Sequence, residues 1–205
     1  MLIVNTEQIT ETVAPSSEPL ATTEAKSHLK VDIATDDTLI DGLIIAAREH
    51  VEFFTGRSYA RHTYRADLSA FYDEVLLPYR PIQSITNIKY YSTASPQVLT
   101  TLNANVYSQK FDHRIVLNDG QSWPDVATRF DAVQITYKTG YADTSSPSGT
   151  GPNMPQGIKQ VMYLIIGDLY ENRAAMVIVP GRGISMSDSV HLAVNALMSN
   201  YRVRL

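Results

Sequence analysis

Between Ile40 and Phe54 the apolar residues fall at 40, 43, 44, 47, 51 and 54, in steps of one, three and four. That is a single stripe of 3.6-residue period, and it predicts an amphipathic helix. Asp36 or Asp37 can cap its start, and Gly56 can take the left-handed conformation that ends it. Arg48 and Glu52 lie four apart and are expected to pair on the wet face, worth only a few tenths of a kcal/mol. A shorter helix is predicted just before, with Thr22 as its N-cap, Glu24 near the positive end of its dipole, and Ala25 and Leu29 on one face. Ahead of both, Thr6 to Pro19 holds Thr, Glu, Ser and two prolines, so residues 1–20 read as a flexible, extended arm that a neighbour could order.

From about Arg61 the period changes to two. Tyr64, Ala66 and Leu68 alternate with polar residues, and Val75 to Leu77 is a short apolar run stopped by Pro78. Ile82 to Tyr91 is rich in Ile, Thr and Tyr, and Arg114 to Leu117 ends at the turn signal Asn118-Asp119-Gly120. Val133, Ile135 and Tyr137 share one face of a half-buried strand over Ala132 to Lys138. Asp143 to Pro155 then carries three prolines among Ser, Thr and Gly, a linker composition. Pro155 suits the first position of a helix whose broad apolar face is Ile158, Val161, Met162, Ile165, Leu169 and Tyr170. Ser187 or Asp188 can cap a last helix bearing Val190, Val194, Leu197 and Tyr201.

The order helix, helix, strands, helix, helix predicts an α+β fold. Terminal helices cannot bury their stripes alone, so they are expected to pack together and leave the strands as an insertion. The boundaries are an arm at 1–20, the first part of a helical core at 21–60, a β insertion at 61–142 (antiparallel sheet or small barrel), a linker at 143–154, and the rest of the helical core with the tail at 155–205.

Composition narrows the function. The 205 residues are 44% hydrophobic, enough for a core, and 19% charged, slightly lean for a soluble domain. A formal charge of −4 argues against a protein that grips nucleic acid by neutralising phosphates. There is no cysteine, which excludes disulfides and thiolate metal sites. The apolar run Val161 to Ile166 is far too short to span a bilayer, and the start MLIVNTEQ lacks the early basic residue of a secretory signal, so no membrane partner is expected.

No catalytic constellation stands out. The G-x-S-x-G and H-E-x-x-H patterns are absent, and the five His are scattered. Gly181-Arg182-Gly183 lacks the Lys-Ser/Thr pair of a phosphate loop and reads as a turn. Asp36, Asp37 and Asp41 cluster at a helix start, where capping and the dipole account for them better than a cation. Neither metal nor cofactor is expected. Tyr79, Tyr90, Tyr91, Tyr107 and Tyr137 fall among the strands, with Arg80, Lys89 and Lys138 sparse beside them. Packing or a protein interface is favoured, and an oligonucleotide-binding module is the alternative reading. A small hydrolase assembled from scattered His and Asp is a third reading that no motif supports. Trp123, followed by Pro124, either plugs the sheet or anchors a partner.

The stretches TEAKSHLKVD (Thr23 to Asp32), DTLIDGLIIAAR (Asp37 to Arg48) and VEFFTGR (Val51 to Arg57) together resemble the opening of tailed-bacteriophage head–tail connector proteins, also called adaptors or head-completion proteins. LPYRPIQSI from Leu77, the Trp123-Pro124 pair, AVQITYKTGY from Ala132, PQGIKQ from Pro155 and LYENR from Leu169 are similar to the longer form of that family with a β insertion. The resemblance spans roughly Leu20 to Arg173, and the basic-apolar tail Tyr201-Arg202-Val203-Arg204-Leu205 is similar too. It implies a structural, non-enzymatic virion protein of the neck, assembled in the host bacterial cytoplasm. It also implies a homo-oligomeric ring, typically twelve-fold, between the portal and a stopper or tail-completion protein. DNA would pass through the lumen without sequence-specific binding. A ring needs two different faces per subunit, and segments that order on docking suit one. The segment from Asp188 to Leu205 is therefore expected to contact the portal or a neighbouring subunit. Trp123, Tyr201, Arg202, Val203, Arg204 and Leu205 are the candidate interface residues.

Overall fold

A computed structural model of the chain describes residues 2–3, 8–111, 113–141, 153–172 and 188–203. It is an α+β protein of two compact units, and the chain passes between them three times. Met1–Ser16 and Ala60–Tyr141 form the β unit; Ser17–Tyr59 and Ala142–Leu205 form the helical unit.

Four helices build the helical unit: α1 (Thr22–Leu29), α2 (Asp37–Thr55), α3 (Gln156–Glu171) and α4 (Asp188–Ser199). α2 packs on the other three. It buries Ile40, Ile44, Ala47 and Val51, the predicted stripe, while Leu43 and Phe54 stay partly exposed at its margins. α3 buries Ile158, Val161, Met162, Ile165 and Ile166, and α4 buries Val194 and Met198. Gly56 ends α2 at φ 67°, as its place in the sequence predicts.

Two details differ from the sequence reading. α1 begins at Thr22 itself with Ala21 as its cap. The Glu24 carboxylate accepts from the Ala21 N–H, and the Thr22 hydroxyl donates to Asp41 instead of to its own helix. Arg48 does pair with Glu52, but on the buried side of α2. Glu18, two residues past the crossing from the β unit, closes over it.

The β unit holds two sheets. Strands β1 (Leu2–Ile3), β4 (Glu74–Leu76), β8 (Arg114–Leu117) and β7 (Tyr107–Lys110) lie side by side in that order. The second sheet runs β2 (Ile9–Val13), β3 (Thr63–Leu68), β9 (Val133–Thr139), β5 (Ile82–Tyr91) and β6 (Leu99–Thr101). All pairs are antiparallel except β1 with β4. One core draws on both sheets, with Ala66, Leu68, Val75, Ile88, Ile115 and Ile135 among its members. Two bulges in β5, between Ile82 and Ser84 and between Ile85 and Asn87, reset its phase. Residues three apart (Ile82, Ile85 and Ile88) can therefore all reach that core.

Part of the stretch read as an arm is an edge strand. β2 pairs with β3, Ile9 opposite Ala66 and Glu11 opposite Tyr64. Only Ile9 of that strand packs on the core, so its hydrophobic signal is one residue long and its stability comes from backbone bonds.

Candidate functional site

The C-terminal segment is anchored to the helical unit by its backbone. Val203 N–H donates to the Thr55 carbonyl at 2.8 Å, filling one of the acceptors left open where α2 ends. Arg57 Nε donates to the Tyr201 carbonyl at 2.8 Å. The Tyr201 ring lies over Gly157, where a Cβ would come 2.7 Å from its hydroxyl. Gly56 faces Val203 across 3.7 Å measured from an added Cβ. Tyr201 and Val203 are thus half-buried against α2 and α3. Arg202 is exposed, with its guanidinium 5.5 Å from the Phe54 ring centre. Arg204 and Leu205 lie outside the described residues, as do Gly181-Arg182-Gly183 and nearly all of the predicted linker.

Trp123 belongs to the β unit. Its indole stacks on Phe71 with centroids 4.7 Å apart and planes at 1°, and Phe71 meets Tyr90 edge-on. The indole Nε1 is buried and has no hydrogen-bond partner. The tyrosines are similarly engaged. Tyr79 stacks on Tyr64 at 4.7 Å, and Tyr64 leans on Tyr137, which is fully buried. Burial pushes the Tyr137 hydroxyl far above its ordinary pKa, and pushes Tyr79 and Tyr107 upward as well. Tyr91 is covered by the Arg129 guanidinium at 3.7 Å. Rings committed to packing in this way leave little of the open stacking face that single-stranded nucleic acid needs.

The three clustered aspartates face three different partners. Asp37 pairs with Lys26 at 2.6 Å, Asp36 accepts from Tyr170, and Asp41 accepts from Thr22. Among the described residues no group of three His, Asp or Glu is placed to hold a metal, and no helix is long and apolar enough to cross a membrane. Arg48 is one of two buried charges among the described residues of the helical unit, with Lys159, and it reaches Glu18 at 2.7 Å and Glu52 at 2.8 Å. Burial opposes its charge, but the two carboxylates outweigh that and hold its pKa above the ordinary value. Beside it, an open groove of ≈ 530 Å³ is lined by Glu18, Leu20, Thr22, Glu24, Asp41 and Ile44.

One surface escapes the sequence reading. Phe53, adjacent to the stripe residue Phe54, points away from the packed side of α2 and is almost fully exposed. Helical period alone places it opposite Val51 and Thr55, and that is the signal that could have found it.

No family model matches the chain, and no curated protein matches it. Solved structures do. One is a chain from the virion of a native gene transfer agent (GTA) particle, at TM-score 0.71 and 21% identity. Another comes from the neck of an empty GTA particle computed with C6 symmetry, at 0.68 and 19%. A third comes from the neck of a native GTA particle computed with C12 symmetry, at 0.65 and 22%. In each case 96% of this chain and 96% of the other are covered, so the likeness takes in both units and establishes a shared fold.

Proposed function

We propose that this chain is a structural head–tail adaptor of a tailed phage or phage-like particle. It acts as a ring of identical subunits in the virion neck, between the portal and a stopper or tail-completion protein, with DNA passing through the lumen. The observation that carries this reading is fold likeness over 96% of both chains to components of particles whose necks were computed with C6 and C12 symmetry. The residue-level resemblance between Leu20 and Arg173 points the same way. A net charge of −4 suits a lumen that lets DNA slide without holding it.

In this reading Arg202, exposed beside Tyr201 and Val203, is the described side chain of the tail best placed to meet a partner. Arg204 and Leu205 extend that contact, and Trp123 would serve on the β unit. The test is the mass of the full chain by light scattering, alone and mixed with the particle's portal. Assembly near a dozen copies on the portal supports the adaptor. A monomer that ignores portal and neck components, yet is retained on single-stranded DNA in a salt-sensitive way, refutes it in favour of the oligonucleotide-binding alternative.

A further inference from the structure

The outer face of α2 carries a row at spacing seven, Leu39, Ala46 and Phe53, with Gly42 between the first two. Phe53 is 91% exposed and Leu39 40%, Ala46 is exposed, and a Cβ at Gly42 would meet nothing within 4 Å. A nearly bare phenylalanine on a helix that buries the stripe Ile40, Ile44, Ala47 and Val51 on its other side calls for a partner. The same helical unit presents a second apolar strip on α4, where Leu192 is 73% exposed and Ala193 and Ala196 are exposed beside it.

The two strips are unlike and complementary. On α2 a pair of small residues lies between two large ones; on α4 one large residue stands beside small ones. Leu192 fits the gap over Gly42 and Ala46, where two helix backbones can approach closely, and Phe53 then has Ala196 to lie on. Charge agrees with this pairing. Glu18 through Glu52 holds eight carboxylates against three cations, Lys26, Lys30 and Arg48, whereas Asp188 to Leu205 has Arg202 and Arg204 against Asp188 alone.

We infer that α4 of one subunit docks on the outer face of α2 of the next copy of this chain. The inference rests on the ring reading and names the subunit contact within it. Unlike faces give a head-to-tail contact that propagates and can close, whereas like faces would stop at two copies. From Leu39 to Phe53 the seam is about 21 Å long and roughly one helix wide. That falls short of the ~800 Å² per partner of a stable pair. A single contact is therefore short-lived, and the faces add up only when a template closes the ring.

The chain has no cysteine, so the contact can be tested by crosslinking the full protein on the portal with a short bismaleimide. Mixed Ala46→Cys and Leu192→Cys subunits should give covalent pairs, neither variant alone should, and the double variant should give a ladder beyond two chains. Phe53→Asp and Leu192→Asp should keep the monomer's helical signal and lose ring assembly. A ring that forms without these crosslinks and tolerates both aspartates would overturn the interface and leave the adaptor reading intact. Crosslinking of Ala46→Cys to itself would show a like-on-like contact and also overturn it. Slow maleimide labelling of Phe53→Cys in the monomer would mean that the chain covers its own face, which leaves no surface for a neighbour and overturns the interface too. No oligomer under any condition would remove both readings.

Discussion

Arg48→Met asks whether the charge on α2 is structural or merely solvated. Methionine replaces much of the aliphatic stem and removes the guanidinium, so two charge-assisted hydrogen bonds, at 2.7 and 2.8 Å, disappear. The larger effect is what stays behind. Glu18 is 24% exposed and Glu52 15%, and both lose the Arg48 guanidinium. Removing one partner from a buried ion pair costs about 3–5 kcal/mol. Glu18 can rehydrate in part, and Glu52 keeps the Tyr59 N–H at 2.6 Å, so the low end, about 3 kcal/mol, is expected. For a chain of this size that lowers the melting midpoint by roughly 6–12 °C. Adding Glu18→Gln removes one orphaned charge and should restore about half of the loss. The assay is thermal unfolding followed at 222 nm, near neutral pH. A wet-face pair would cost only a few tenths of a kcal/mol. A midpoint within about 1 °C of wild type, or a penalty that Glu18→Gln leaves untouched, would refute the buried network.

Three further outcomes test the β unit. Gly140 sits at φ 101° with its added Cβ 2.0 Å from the Ala60 carbonyl oxygen, so Gly140→Ala forces backbone to move and should cost more than about 3 kcal/mol by urea unfolding. Phe71→Ala removes the ring on which the one tryptophan stacks; the native emission should shift to longer wavelength and the unit should lose about 2–3 kcal/mol. Arg129 hydrogen-bonds Asp131 and holds its carboxyl below the ordinary 3.8. A depressed folded-state pKa stabilises above the ordinary value and is lost as pH falls through the folded one. The melting difference between wild type and Asp131→Asn should therefore be full at about pH 6 and shrink as pH falls below the ordinary carboxylate value.

The long helices and central strands are legible because their periods are dictated by burial: Ile40 to Val51 on α2 and Val133 to Tyr137 on β9 meet the core in the order the sequence sets out. Elements held by backbone pairing leave little trace. β6 and β7 show mostly Thr, Ser and Gln at partly exposed positions, and β2 has one apolar anchor, so neither alternation nor composition marks them. Arg48 reads as a solvated residue because an i,i+4 ion pair looks the same on either side of a helix. Only Glu18, thirty residues away, decides which side is covered. Tyr201 and Val203 look free in the sequence because the acceptors and glycines that seat them, at Thr55, Gly56 and Gly157, lie elsewhere in the chain.

The three passages of the chain between its units also set an order of events during synthesis. Every residue of the β unit has been made once Tyr141 has been added, whereas the helical unit still lacks α3 and α4. At about 5–20 residues per second, the remaining stretch takes on the order of several seconds to emerge. During that interval Ile40, Ile44, Ala47 and Val51 have only α1 beside them and lack α3 and α4, while the β unit can close around its core once β9 has cleared the ribosome. A nascent chain stalled with β9 outside the ribosome and α3 still inside it should therefore expose one finished body and one sticky pair of helices. It is in that interval that ribosome-associated chaperones would have their substrate.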